Sequence, residues 1–388
     1  MWQKFKKIEP EIGFIFVLFL SSRIVLWVIG ISSRIFFSDL LGKDTFTRLF
    51  NNREVSIHPG YWWLEFFVKW DSNHYISIAK GWYPDVSGFL TTDHIQYAFF
   101  PLYPALIRVF TFVTNNYLLS GVVISNIAFL ISCILLVKIV RFQYNNDVAV
   151  RSLKYMIFFP AAFVFSGVYA ESLFFMFLLF CFYFALQKKW NRVGICLFLL
   201  TLTKSIGIFM TLPLFLIYYS QKEYSFKKFR FDIIYLSFGA VGALLFFYYV
   251  YTKTGDFFAY THSQELGWGA HLRSPLEGFY WILQDTKHIA PFINAVFTIV
   301  VFVFLTLFFK KIGFIYYVTS FLFILVPLMY FGASHLSHIR YVLPIFPLYI
   351  LLGRLGENKN VDIPLTAILL LLQGFLMVFW GFGFQFVI

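Results

Sequence analysis

The stretch KWDSNHYISIAKGWY, residues 69–83, brings a carboxylate, an imidazole and an ammonium close together in Asp71, His74 and Lys80. A carboxylate can take the proton of an attacking hydroxyl, and cations can hold the charge of a departing anion. On a helix, Asp71, His74 and Tyr75 would share one face, because residues three and four apart are neighbours there. Trp62, Trp63, Trp70, Trp82 and Tyr83 surround them, and such amphipathic rings favour the membrane–water boundary. The plainer alternative is a wet loop in which Asp71 only caps a helix.

Other polar residues stand out from apolar surroundings. FPAAFVFSGVYAESLFF (159–175) carries Tyr169 and Glu171, and TLTKSIGI (201–208) carries Lys204. HLSHIRYVLP (335–344) adds His335, His338 and Arg340, YAFFPLYP (97–104) adds Tyr103, and Arg23 lies inside the first apolar stretch. Each alone has an ordinary reading as a cap, a turn or a snorkelling side chain. Arg23 reads equally as a snorkeller or as the partner of an anionic group. Taken together they suggest one site: Asp71, His74 and Glu171 for the chemistry, Lys204, Arg340, Arg23 and His74 as the cations for an anion, and His338 among the substrate-binding residues. Trp70, Tyr75, Tyr103 and Tyr169 would line it for substrate.

The elements that must position these groups are membrane helices. Sixty per cent of the 388 residues are hydrophobic, 13% are charged, and the mean hydropathy is +0.75. A soluble domain with that balance lacks the polar surface to stay dispersed. The net charge of +12 falls in short basic clusters between apolar runs, which orients a membrane protein and argues against nucleic-acid binding. Cys133, Cys181 and Cys196 all lie in apolar runs and read as small core residues. The run Ile12–Ile31 is long and lacks a small-residue cleavage site, so it reads as an uncleaved first span.

Placing the basic clusters in the cytoplasm threads the chain as about 11 transmembrane helices with the N-terminus inside. The expected spans are 12–31, 118–140, 151–167, 170–187, two short helices within 193–219, 231–252, 291–309, 312–331, 340–353 and 363–382. Residues 32–117 and 253–290 then form long outer loops of a single membrane domain, 1–388. The piece 99–113, short and carrying two prolines and Arg108, reads as a juxtamembrane or re-entrant helix.

These stretches resemble the PIG-V family, the second mannosyltransferase of glycosylphosphatidylinositol synthesis, and its prokaryotic relatives among the GT-C glycosyltransferases. The likeness rests on WDSNHYISIAKGWYPD, YAFFPLYPALIR, FPAAFVFSGVYAESLFF and TLTKSIGI. It covers about the first 220 residues; beyond them only HIRYVLPIFP echoes the family loosely. Lys204 stands where relatives often carry arginine. The resemblance implies an all-α polytopic GT-C fold with a large first outer loop containing amphipathic juxtamembrane helices. It implies a polyprenyl-phosphate sugar donor, mannose in the eukaryotic case, and a hydroxyl on a lipid or glycan acceptor. Asp71 matches the family's catalytic aspartate and would be the base of an inverting transfer.

No cofactor is expected. The loop has no paired-aspartate signature, and no glycine-rich dinucleotide loop is present. Membrane lipids are the remaining expected partner, and the cell membrane the location if the chain is prokaryotic. The competing reading is a polytopic transporter or flippase, which Arg23 favours; such proteins place charges near the midplane between repeated halves. No repeat is visible here.

Overall fold

A computed structural model describes residues 9–41, 63–64, 66–86, 90–277, 280, 289–331 and 338–382. In chain order the helices are α1 (Glu9–Leu41), α2 (Asp71–Gly81), α3 (Leu102–Thr114), α4 (Tyr117–Gln143), α5 (Asn146–Ile157), α6 (Glu171–Leu186), α7 (Trp190–Thr201) and α8 (Thr211–Gln221). There follow α9 (Phe238–Thr254), α10 (Ala259–Trp268), α11 (Ile289–Leu307), α12 (Phe309–Ile312), α13 (Phe314–Met329), α14 (His338–Val342), α15 (Phe346–Leu355) and α16 (Lys359–Phe382). Two short strands, β1 (His271–Leu272) and β2 (Tyr330–Phe331), pair antiparallel, His271 opposite Phe331.

The chain is an integral, multi-pass membrane protein. Ile12–Phe36, Tyr117–Gln143, Phe231–Thr254 and Lys359–Gly381 are each long and apolar enough to cross a bilayer, and several shorter apolar helices stand beside them. α4 packs against α3, α5 and α6, and Phe129, Cys133, Leu136 and Ile139 are wholly buried on it. The three cysteines are free and buried. α1 and α16 run side by side in the same direction. A Cβ at Gly30 would lie 2.7 Å from Met377 Cε, the small-residue approach by which membrane helices pack closely.

Several expected spans are broken, and proline explains two of the breaks. The span expected over 151–167 is α5, which ends at Ile157 ahead of Pro160, followed by the 3-10 turn Ala162–Ser166. The span expected over 340–353 is α14 and α15, parted around Pro344. Proline removes a helix hydrogen bond and clashes with the turn before it. The stretch 193–219 is broken as expected, into α7, the 3-10 segment Ser205–Met210 and α8. Residues 99–113 form no straight span: Thr92–Ala98 and α3 are bent by 92°.

Hydrogen bonds and ion pairs sort the helix termini into two ends. At one, Gln221 donates to the Ala185 carbonyl, Asn145 to Glu357, and Arg354 to the Lys311 carbonyl, while Lys154 pairs with Asp362. This end carries the basic clusters. At the other end lie the start of α6, the end of α7, α2 and α14.

Candidate functional site

Asp71 opens α2, and the residue before it is forced into an unusual conformation. Trp70 has φ 45°, outside the regions an L side chain prefers, at a cost of about 1–3 kcal/mol. The surroundings hold it there. Val168 N–H donates to the Phe67 carbonyl (3.1 Å), Tyr169 Oη to the Lys69 carbonyl (2.6 Å) and Trp380 Nε1 to the Phe66 carbonyl (2.6 Å). The Trp70 ring packs edge-on against Trp380 at 5.1 Å. Gly167 permits this approach, since a Cβ there would stand 2.9 Å from the Tyr169 ring and 3.3 Å from the Phe67 carbonyl.

So held, the Asp71 side chain does not cap its helix. It accepts from Arg340 Nη1 at Oδ2, 2.7 Å away. Arg340 Nε lies 2.9 Å from Glu171 Oε1, an ion pair without an aligned hydrogen bond. Lys204 Nζ donates to the same Glu171 oxygen at 2.8 Å. Two carboxylates and two cations thus form one chain, Asp71–Arg340–Glu171–Lys204. Glu171 is 2% and Arg340 8% exposed, while Asp71 retains 16%. The second Glu171 oxygen has no hydrogen-bond partner. Buried ions of this kind persist only when paired.

Each member arrives on a different broken element. Glu171 starts α6 after the irregular segment behind Pro160. Lys204 follows α7, where Leu102 N–H caps the Leu202 carbonyl (3.0 Å). Arg340 lies in the single turn α14, anchored where Ile339 N–H donates to Asn294 Oδ1 (2.9 Å). Tyr169 and Tyr341 flank the guanidinium, their ring centres 5.4 and 5.6 Å from Arg340 Cζ, and Tyr341 also faces Lys204.

Other expected site residues are placed differently. Tyr75, Tyr103 and Tyr169, read as lining the site for substrate, are almost wholly buried. Tyr75 packs edge-on to Phe99 and Tyr103, and Tyr103 Oη bonds Ser125 Oγ (2.7 Å) and the Gly121 carbonyl (3.1 Å). Tyr75 and Tyr103 brace the wall, while Tyr169 faces the Arg340 guanidinium. Arg23 does not join the ion chain: it donates to the Ala162 carbonyl and Ser166 Oγ, both at 3.1 Å, and lies over the Phe129 ring. Its helix position sets it beside the 3-10 turn behind Glu171, where backbone and hydroxyl oxygens take its protons. Lys80 is exposed and faces Tyr117, off the site. His335 and the His338 side chain lie outside the described residues.

His74 stacks on Phe99 at 4.9 Å and 20°, with Trp268 edge-on at 6.1 Å. Burial lowers its pKa below the ordinary 6.5, opposed by the Asp71 charge. Four residues past Lys204 begins an apolar groove of about 610 Å³, lined by Ile208, Phe209, Leu212, Phe215, Leu236 and Leu322 among others. Sequence reasoning missed Tyr341, Trp380 and Trp268. Tyr341 adjoins Arg340 and could have been found by that signal; the two tryptophans carried none.

The chain matches no protein-family profile and no curated protein. Its fold is similar to solved structures. The crystal structure of ArnT from Cupriavidus metallidurans bound to undecaprenyl phosphate superposes with a TM-score of 0.51 at 11% identity, over 87% of this chain and 59% of that one. The Archaeoglobus fulgidus oligosaccharyltransferase, tethered to an acceptor peptide, gives 0.43 at 11% identity, over 98% of this chain and 56% of that one. This chain therefore spans less than two thirds of either. The fold is that of the GT-C polytopic membrane proteins.

Proposed function

We propose that this protein transfers a sugar from a polyprenyl-phosphate donor to a hydroxyl of a lipid or glycan acceptor, by inversion, with Asp71 as general base. Mannose is the sugar the PIG-V resemblance points to. One observation carries the reading: the buried chain Asp71–Arg340–Glu171–Lys204. The donor phosphate belongs at Lys204 and Arg340, and the prenyl tail in the groove that follows Lys204 along the chain. The ArnT structure, bound to undecaprenyl phosphate, is consistent with that class of donor.

In the step, the acceptor oxygen bonds to the anomeric carbon and its proton passes to Asp71. The bond from that carbon to the phosphate oxygen breaks, and both electrons leave with the phosphate. Negative charge thus disappears at Asp71 while it grows on the phosphate. Arg340, paired with Asp71 in the free protein, is placed to follow that charge at little reorganisation cost. Glu171 is committed to Lys204 and Arg340, which suits an orienting role and not a nucleophile's.

The basic end belongs in the cytoplasm by the positive-inside rule, which puts the N-terminus inside and the site at the outer face. A cysteine at exposed Glu265 should then react with an impermeant reagent from outside, and one at exposed Asn358 only after permeabilisation. The activity is tested by supplying purified protein with polyprenyl-phosphate mannose or glucose and a panel of glycolipid acceptors. Sugar transfer that depends on Asp71 is expected; no transfer from any such donor, or transfer unchanged by Asp71→Asn, would sink the reading.

A further inference from the structure

We propose that His74 and Trp268, backed by Phe99, form a platform that binds a pyranose ring of the acceptor. This rests on the transferase reading above. It goes further in making the acceptor a carbohydrate and in assigning its side of the site.

α2 turns two different environments toward its neighbours. Tyr75 lies in the field of Glu171, Asp71 and Arg340, whereas His74 feels the Asp71 carboxylate and packs on Phe99 and Trp268. Phe99 and Trp268 are themselves 5.7 Å apart and edge-on. The Arg340 guanidinium therefore stands on the Tyr75 side, and beyond Asp71 the His74 side presents uncharged rings. Burial keeps the imidazole neutral near pH 7. In an inverting displacement the acceptor enters opposite the leaving phosphate, so it must come from the His74 side. A neutral ligand with one apolar face and several hydroxyls suits these rings, and a pyranose has that character. One helical turn, about 5.4 Å, separates Asp71 from this level of α2, within reach of a hydroxyl on a ring stacked there.

The platform is firmly built. Trp268 ends α10, which is fastened by Ser263 Oγ to the His94 carbonyl (3.2 Å), by Gln264 Nε2 to the Ala98 carbonyl (3.1 Å) and by Tyr260 Oη to Ser205 Oγ (2.8 Å). Trp268 and His74 stay partly accessible.

The test is saturation-transfer NMR on the full chain in lipid nanodiscs, with octyl mannopyranoside and octyl glucopyranoside as probes and octanol as control. In the wild type, saturation should reach the sugar ring protons of at least one glycoside. Trp268→Leu should reduce it severalfold and Trp268→Phe should keep most of it. Saturation confined to the octyl chain in the wild type, or ring signals unchanged in Trp268→Leu, would overturn the platform. The thermal shift produced by undecaprenyl phosphate is measured in parallel and should be the same in wild type and both variants. Its absence from the wild type would count against the donor reading while leaving the ring signals as evidence for the platform, so the two failures separate. Because the wild-type arm can overturn the proposal alone, a poorly folding variant does not shield it.

Discussion

The two ends of the bundle each hold a carboxylate–cation network, and they differ in construction. At the basic end Asp362 accepts from Lys154 Nζ at 2.5 Å and from Tyr155 Oη. Its donors are sequence neighbours, it braces α5 to α16, and Lys154 and Asp362 remain 22% and 24% exposed. The other network draws one residue from each of four separate elements. It is buried more deeply, and it leaves one Glu171 oxygen without a partner. A brace closes with local partners at a partly exposed surface. A site leaves valence open and gathers its groups from distant stretches of chain, where each is fixed independently. That contrast can be tested.

The largest effect is expected at Asp71. Asp71→Asn keeps the shape but cannot take a proton, so turnover should fall by about two to four orders of magnitude, the range for losing a general base, far more than the loss of Tm, since Arg340 keeps Glu171 as its partner. Asp362→Asn should do the reverse, lowering Tm and sparing turnover per folded molecule. If Asp71→Asn proved active and merely less stable, both networks would be braces.

Next comes Lys204→Gln, which should weaken use of the lipid-phosphate donor much more than use of the acceptor, with Lys204→Arg tolerated. Separate titrations of donor and acceptor decide this, and a loss confined to the acceptor removes the phosphate role. Asp362→Ala should cost about 1–3 kcal/mol of stability, the range for stranding buried polar partners, as read by thermal or denaturant unfolding.

The smallest effect is that of pH on His74. Its folded pKa lies below the unfolded 6.5, so the unfolded chain binds the proton more readily. The stabilisation is complete above pH 6.5, declines as pH falls below that value, and levels off beneath the folded pKa. Tm should therefore drop on mild acidification, and His74→Phe should flatten that part of the profile. An identical acid limb in His74→Phe would mean that the imbalance lies elsewhere.

Much of this was legible in the chain. Apolar runs and basic clusters marked the helices and sorted the two ends. The rarity of charge singled out Asp71, Glu171, Lys204 and Arg340, because an ion among apolar residues demands a partner wherever it goes. The breaks were harder. Pro160 and Pro344 mark interruptions, yet hydropathy averages across them, so 151–167 and 340–353 read as continuous spans. Arg23 had the same signal as Arg340, and nothing local distinguishes an arginine that meets carboxylates from one that meets a carbonyl and a hydroxyl.

The sequence by itself determined the solvent this protein lives in, its helical character and the residue types able to do chemistry, because those follow from composition, spacing and the cost of burying charge. Only the tertiary structure decided which ions meet. Asp71 and Arg340 are far apart along the chain, and their 2.7 Å contact depends on where α14 stops, how Asn294 holds it and how Trp380 and Gly167 seat the strained turn before α2. It also decided that Trp268 faces His74. Such pairings arise from the simultaneous packing of distant segments, which no local pattern encodes.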